Sequence, residues 1–456
     1  MRIKLDIPLT LKELASYTDG HLLDKENSFF QYISTDTREL ICGDLFIPLS
    51  GKRYDGEDYI NEALNIGAKC ISAKNTSASV LVRNTREALL NLAKRYKSII
   101  KPRKTVAITG SVGKTTTKDL LSYITAYKYT VHSTQGNLNN ELGVPFTVLS
   151  AAKGTEILII EAGMNTPGEL RQLSECITPD ICIITNIGTA HIGNFGSREM
   201  IAHSKSQIAD YLTEDGVILI PENEPLLSSL KRAETVSTEE INASYCLKET
   251  EKRNGVRSFN FHSKDNIITD IICNIPGEHI PSCLSFAIAV TLLLGMKEDE
   301  IRGGINNIPD KLSRHAVLET EKYTIIDDCY NSSPEAVALS LKSLLLYKSK
   351  GKSIVLGDMN ELGQYTEELH RYVGKLCANA DIDYLFTFGA YSEFIADEAA
   401  KSGMSTDRIL KNSDIMSPQI TANQILSRCN KGDVILFKAS HAIQLNRVID
   451  ILKKHV

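Results

Sequence analysis

The chain has no pair of cysteines at C-x-x-C spacing, which argues against zinc ribbons and thioredoxin-like redox centres. Its ten cysteines are scattered from Cys42 to Cys429, as buried small apolar side chains in a reducing compartment would be. No uninterrupted apolar run approaches the roughly 18 residues of a membrane-spanning helix. The opening Met1-Arg-Ile-Lys-Leu-Asp-Ile-Pro8 lacks the apolar centre of a signal peptide, so a cytoplasmic location is expected. Strong charge of either sign is missing too: Lys and Arg total 51, Asp and Glu 56, a formal net charge of -5. That balance gives no electrostatic reason to expect nucleic acid or an anionic membrane as partner. A small anion can still bind, because local N–H groups, side chains and metal decide that. No low-complexity segment and no repeat of fixed period occurs, which sets solenoids aside.

What is present is an ordinary globular composition, 42% hydrophobic over 456 residues, enough for about three domains of ~150 residues. Short apolar runs rich in Ile and Val alternate with longer amphipathic stretches. They include Thr105–Thr109, Ile157–Ile160, Ile181–Ile184 and Val217–Ile220, then Thr324–Ile326, Ser353–Leu356, Tyr384–Phe388 and Val434–Phe437. Runs this short and apolar on both faces suit buried parallel strands, with helices as crossovers. Polar, Pro-containing segments at Lys97–Lys104 and Asn306–Lys311 read as linkers. The fold expected is α/β in three domains. Residues 1–100 form a small α/β domain, 101–311 a mostly parallel sheet of P-loop ATPase type, and 312–456 a Rossmann-like domain. Ligands in such sheets collect at the carboxyl ends of strands.

One strand end carries Thr109-Gly-Ser-Val-Gly-Lys-Thr-Thr-Thr-Lys118, with a helix after it. Gly110 and Gly113 let the backbone turn N–H groups inward around phosphate oxygens, with Ser111 and Thr116 in the same loop. Lys114 can neutralise the β- and γ-phosphates and Thr115 can ligate Mg²⁺. The pattern is the shorter G-x-x-G-K-T form, because Ile108 stands where the full motif has glycine. Glu161 ends the next apolar run, well placed to hold that Mg²⁺. Asn186 and His191 follow the run after it, in a loop. Lys205 falls on a helix, where by itself it would read as a solvated lysine.

Together these segments resemble the Mur ligase family, enzymes that build the peptide of the bacterial cell-wall precursor. The resemblance covers all three proposed domains and includes Ser34-Thr-Asp-Thr-Arg38, the phosphate loop, Gly136-Asn-Leu-Asn-Asn140, Glu161-Ala-Gly-Met-Asn165 and Thr185–His191. It continues through Asp327-Asp-Cys-Tyr-Asn331 and Gly357-Asp-Met-Asn-Glu-Leu-Gly363. The match is nearest to the members that join D-alanyl-D-alanine to UDP-N-acetylmuramoyl-tripeptide; the Asp-Asn-Pro-Arg signature of the diamino-acid-adding members is absent. The resemblance implies an ATP-dependent carboxylate–amine ligase working through an acyl phosphate. It implies two Mg²⁺ ions, with Thr115, Glu161, His191 and a carbamylated Lys205 as the metal sphere. Lys114, His191 and Lys205 take the catalytic roles. Asn137, Asn186, Arg314 and Asp328 join the loop in binding ATP, and Asp36, Thr37 and Arg38 bind the UDP substrate. A monomer is expected. A related Mur-type or folylpolyglutamate-type ligase, with the same chemistry and a different carboxylate and amine, is the second reading.

The sequence departs from the family pattern at several places. Ser313-Arg314 stands for Gly-Arg, Asn331-Ser-Ser-Pro334 for Asn-Ala-Asn-Pro, and Gln207 for an acidic residue. His441 replaces arginine and Glu57 replaces histidine.

Overall fold

A computed structural model describes residues 1–24, 28–51, 54–240, 242–253, 256–309 and 316–455. Its strands form three sheets, each drawn from one consecutive part of the chain. The first runs, edge to edge, Arg2–Thr10, Phe29–Ser34, Leu45–Phe46, Lys69–Ser72, Val80–Leu81 and His21–Leu22. Its three inner pairings are parallel and the two outer ones antiparallel. The long helix Thr85–Ile100 covers it, capped by Asn84, whose side chain accepts the N–H groups of Arg86 and Glu87.

The second sheet has six parallel strands at one side: Ala233–Ser237, Val217–Pro221, Ile181–Ile184, Lys104–Thr109, Ile157–Glu161 and Val131–Ser133. The strands Lys104–Thr109, Ile157–Glu161 and Ile181–Ile184 are almost wholly buried, which is why they read as unbroken apolar runs. The sheet then continues through Tyr245–Arg253, Val256–Ser263 and Ile267–Cys273, the last two added antiparallel. That extension was not expected from the apolar runs. Along Ile267–Cys273 buried residues are interspersed with exposed ones, as in a sheet with one face in water, so no continuous apolar run marks it. Helix Ile280–Leu293 is apolar all round and buried, and packs on the helix Lys114–Thr125 that leaves the phosphate loop.

The third sheet runs Ala316–Glu319, Tyr323–Asp328, Asp433–Lys438, Lys352–Gly357, Tyr384–Phe388 and Ile409–Asn412. It is parallel except for its first pairing. All eight apolar runs singled out in the sequence are therefore parallel strands. The segment read as the first linker is mostly regular structure: helix persists to Ile100 and strand begins at Lys104. Lys97, inside that helix, is half-buried and donates to the carbonyls of Ile177 and Thr178. Burial pulls its ammonium down to about 8. In the second linker, helix Glu298–Asn306 ends where expected, and residues 310–311 lie outside the described ones.

All ten cysteines are free; Cys42 is exposed, Cys329 half-buried and the rest buried. Among the described residues no helix is long and apolar enough to cross a membrane.

Ile108 is completely buried and lies opposite both Ile183 and Glu161. Ile108→Ala is expected to remove about 2–5 kcal/mol from the unfolding transition of the second sheet, read as a lower urea midpoint.

Candidate active site

The register of the second sheet assembles the site. Thr109 pairs with Ile184 and Ile108 with Glu161, so three strands end level and their loops meet. The loop after Thr109 turns sharply at Gly110, whose φ is +148°; a Cβ there would lie 1.9 Å from Thr185 Oγ1. No other residue fits. Helix Lys114–Thr125 then starts with its unpaired N–H groups at the loop, the positive end of its dipole.

Asn186 holds this loop in shape. Its Oδ1 accepts the backbone N–H groups of Ser111 and Val112, both at 2.9 Å. The Thr185 hydroxyl donates to Val112 O at 2.6 Å, and Ser111 Oγ accepts the N–H of Gly188. The structure thus puts Asn186 on the loop backbone and not on the cavity wall.

A cavity of about 320 Å³ opens at these strand ends, within the range of small-molecule sites. Gly110, Ser111, Gly113, Lys114 and Thr116 line it, with Asn137, His191 and Lys205. From the third sheet come Asp328, Tyr330 and Lys438. Lys438 is buried and donates to Asp328 Oδ2 at 2.6 Å and to Asn331 O at 2.9 Å. Removing the Asp328 carboxylate would leave the Lys438 ammonium buried without its counter-charge, a cost of about 3–5 kcal/mol.

Lys205 sits on helix Arg198–Ser206, capped by Ser197, and is not the solvated lysine its sequence context suggests: only 3% of it is exposed. Burial, and then repulsion from Lys114, hold its ammonium far below the ordinary lysine range. Two lysines thus meet at one cavity wall, one of them disposed to be neutral. Lys114 Nζ folds back onto the carbonyls of Gly110 and Ser111 at 2.6 and 3.3 Å.

Glu161 is fully buried. Its Oε2 accepts the Thr115 hydroxyl and its Oε1 the Asn139 amide, each at 2.8 Å. His191 lies elsewhere on the wall, with a left-handed φ of 64°, its Nδ1 against the Glu361 carboxylate of the third sheet's loop. That hydrogen bond holds the Glu361 carboxyl below its usual range. No cluster of three His, Cys, Asp or Glu side chains suited to a metal occurs among the described residues. Mg²⁺ needs fewer: it keeps several waters and takes one or two carboxylates plus phosphate oxygens. The Thr115–Glu161 pair beside a phosphate loop suits it.

Asp36, Thr37 and Arg38 follow the first sheet's strand Phe29–Ser34 and are not among this cavity's lining residues. Asp36 caps a short 3₁₀ turn and accepts from Arg38 Nη2 at 2.5 Å, which draws its carboxyl down to about 2. Thr37 is buried. Arg314 lies outside the described residues. Of the departures, Glu57 accepts the Ser72 hydroxyl and the Ala73 N–H, and His441 meets the Tyr330 ring edge-on at 6.4 Å. The sequence reading missed Asn139, Glu335, Glu361 and Lys438 as site residues. Asn139 and Glu361 lie inside segments that carry the family resemblance and Lys438 directly follows the run Val434–Phe437, but nothing local marks their partners.

Residues 108–291 match the Mur ligase middle domain, and residues 313–441 match the Mur ligase, glutamate ligase domain. A UDP-N-acetylmuramoyl-tripeptide–D-alanyl-D-alanine ligase of Bacillus subtilis is 33% identical, with 97% of this chain and 98% of that protein covered. A crystal structure of MurF from Acinetobacter baumannii superposes with a TM-score of 0.90 at 26% identity, covering 99% of this chain and 100% of that one. MurF of Thermotoga maritima, solved in complex with ADP, is 30% identical with a TM-score of 0.81, covering 92% and 97%.

Two outcomes are expected from this geometry. Asn186→Ala removes the side-chain acceptor that two loop N–H groups share, leaving Ser111 N–H only the residue-186 carbonyl at 3.2 Å, and should weaken nucleotide binding about tenfold, or ~1.4 kcal/mol, by calorimetry. Lys205 binds its proton more weakly folded than unfolded, so its burial costs stability increasingly as pH falls below the ordinary value of 10.5. In CO₂-free buffer Lys205→Met should therefore melt no lower than the parent, and its advantage should grow from about pH 10 to about pH 7. A lower Tm for the variant at both pH values would contradict this.

Proposed function

The chain belongs to the Mur ligase family, and from that we propose that it is an ATP-dependent ligase of peptidoglycan-precursor synthesis, adding D-alanyl-D-alanine to UDP-N-acetylmuramoyl-tripeptide. One observation carries the chemistry: a single cavity is lined by the phosphate loop, Lys205 and, from the third sheet, Asp328 and Lys438. A site that must phosphorylate a carboxylate and then present it to an amine needs both sets of groups around one space.

In the reaction we infer, a carboxylate oxygen of the tripeptide attacks the γ-phosphorus in line. The bond from phosphorus to the β,γ-bridging oxygen breaks, leaving ADP and an acyl phosphate. The amine nitrogen of the dipeptide then attacks the acyl carbon; phosphate departs with its C–O bond pair, and the amine proton passes to solvent. Phosphorylation is required because a carboxylate alone has no adequate leaving group.

The loop N–H groups, Gly110, Ser111, Gly113, Thr116 and Lys114 hold the triphosphate, with Asn137, Arg314 and Asp328 around the nucleotide and Asn186 shaping the loop. Thr115, Glu161 and His191 would hold two Mg²⁺ with a carbamylated Lys205. Bound Mg²⁺ supplies charge that offsets the repulsion between carboxylate and triphosphate. The burial of Lys205 supports its carbamylation, since only a neutral amine attacks CO₂. Its nitrogen lone pair forms the N–C bond, one C–O π pair moves to oxygen, and the ammonium proton of the adduct is lost to water. The oxyanion of the tetrahedral adduct is stabilised by Lys114. Asp36, Thr37 and Arg38 would take the UDP moiety within a first domain of residues 1–100, with domains 101–311 and 312–456 closing over ATP to exclude water. The enzyme works in the cytoplasm as a monomer.

ADP release should require both UDP-N-acetylmuramoyl-tripeptide and D-alanyl-D-alanine, and glutamate should not replace the dipeptide. Lys205→Ala should lose about 10²-fold or more of kcat. Release with a folate substrate and glutamate instead would overturn the assignment.

A further inference from the structure

The loop after strand Ile181–Ile184 is gripped from two sides. Toward the second sheet, Thr185, Asn186 and Gly188 bind the phosphate loop as described. Toward the third sheet, Glu335 accepts the Thr189 N–H at 2.8 Å, and Gly193 N–H donates to Glu361 O at 2.9 Å. The Tyr365 hydroxyl donates to Gly196 O at 2.7 Å. The two backbones interlock: a Cβ on Gly193 would stand 2.5 Å from Gly363 N.

Glu361 itself is held from behind. Asn360 N–H donates to Ser440 Oγ at 2.8 Å, and Met359 N–H to His370 Nε2 at 3.0 Å. His370 is completely buried and makes its other bond to Thr366 O. Glu361 also keeps a left-handed φ of 63°, as His191 does at 64°. Two non-glycine residues in that sparsely occupied region, facing each other across two sheets, indicate a contact that the surroundings enforce.

A carboxylate has no proton to give, so the shared hydrogen must sit on His191 Nδ1; in the neutral ring the lone pair is then on Nε2. We propose that Glu361 is a positioning residue for the ligase reaction: it accepts His191 Nδ1–H, fixes that tautomer and ring orientation, and leaves Nε2 as the cation ligand at the cavity. Assembly of the cation site then depends on docking of the third sheet's loop. This rests on the reading of His191 as a cation ligand. Outer carboxylates that orient a ligating histidine commonly change cation affinity 10–100-fold.

Side-chain ¹⁵N spectra of the full chain without metal test the tautomer, with the His191 signals identified by their loss in His191→Gln. The parent should show the Nδ1–H form and Glu361→Ala a shift toward Nε2–H. The Mg²⁺ concentration for half-maximal ADP release should rise about tenfold in Glu361→Ala. Glu361→Gln, which retains an acceptor oxygen, should recover most of both effects. An unchanged tautomer, or an Mg²⁺ requirement that stays level or falls in Glu361→Ala, would overturn the proposal. If the tautomer shifts but His191→Gln leaves the Mg²⁺ requirement unaltered, the ligand role of His191 fails and the proposal falls with its premise.

Discussion

Two backbone N–H groups, those of Ser111 and Val112, converge on one amide oxygen of Asn186, and the site depends on that convergence. A phosphate loop works only if its backbone keeps its shape without an anion to hold it there. Here the loop following the adjacent strand supplies the hold. The same loop carries His191 to the cavity wall and meets the third sheet through Thr189 and Gly193. The phosphate loop, one wall of the cavity and the third sheet are therefore tied together by one short segment between Thr185 and Gly196.

Electrostatics explains why this segment must be so firmly placed. Lys114 and Lys205 meet at one small cavity, where burial and the neighbouring Lys114 charge disfavour the ammonium form of Lys205. Burying a lysine beside another is unfavourable for folding, so stability is given up at the cavity. The parallel strands bear that cost. Their buried Ile and Val side chains contribute to two separate hydrophobic cores.

The third sheet contributes through its own strand ends, as a parallel α/β sheet must. Asp328 closes one strand and Lys438 the neighbouring one, and their pairing at 2.6 Å sets both at the wall of the cavity built by the second sheet. Glu335 and Glu361 reach further, to the loop itself. Carboxylates from one sheet thus orient groups on another, and neither sheet alone holds a complete site.

By itself the sequence determined the eight parallel strands, because buried strands must be apolar on both faces and short. It also determined the phosphate loop, whose glycines and lysine act locally, and, through many ordered segments, the family. Tertiary structure alone decided the rest. Lys205 looks solvated in its helix and is buried because other elements cover it. Asn186 points at loop amides across 75 positions of chain, and His191 finds Glu361 across 170. Local patterning reports how one element sits against the core; a side chain's partner is fixed only when the sheets pack together.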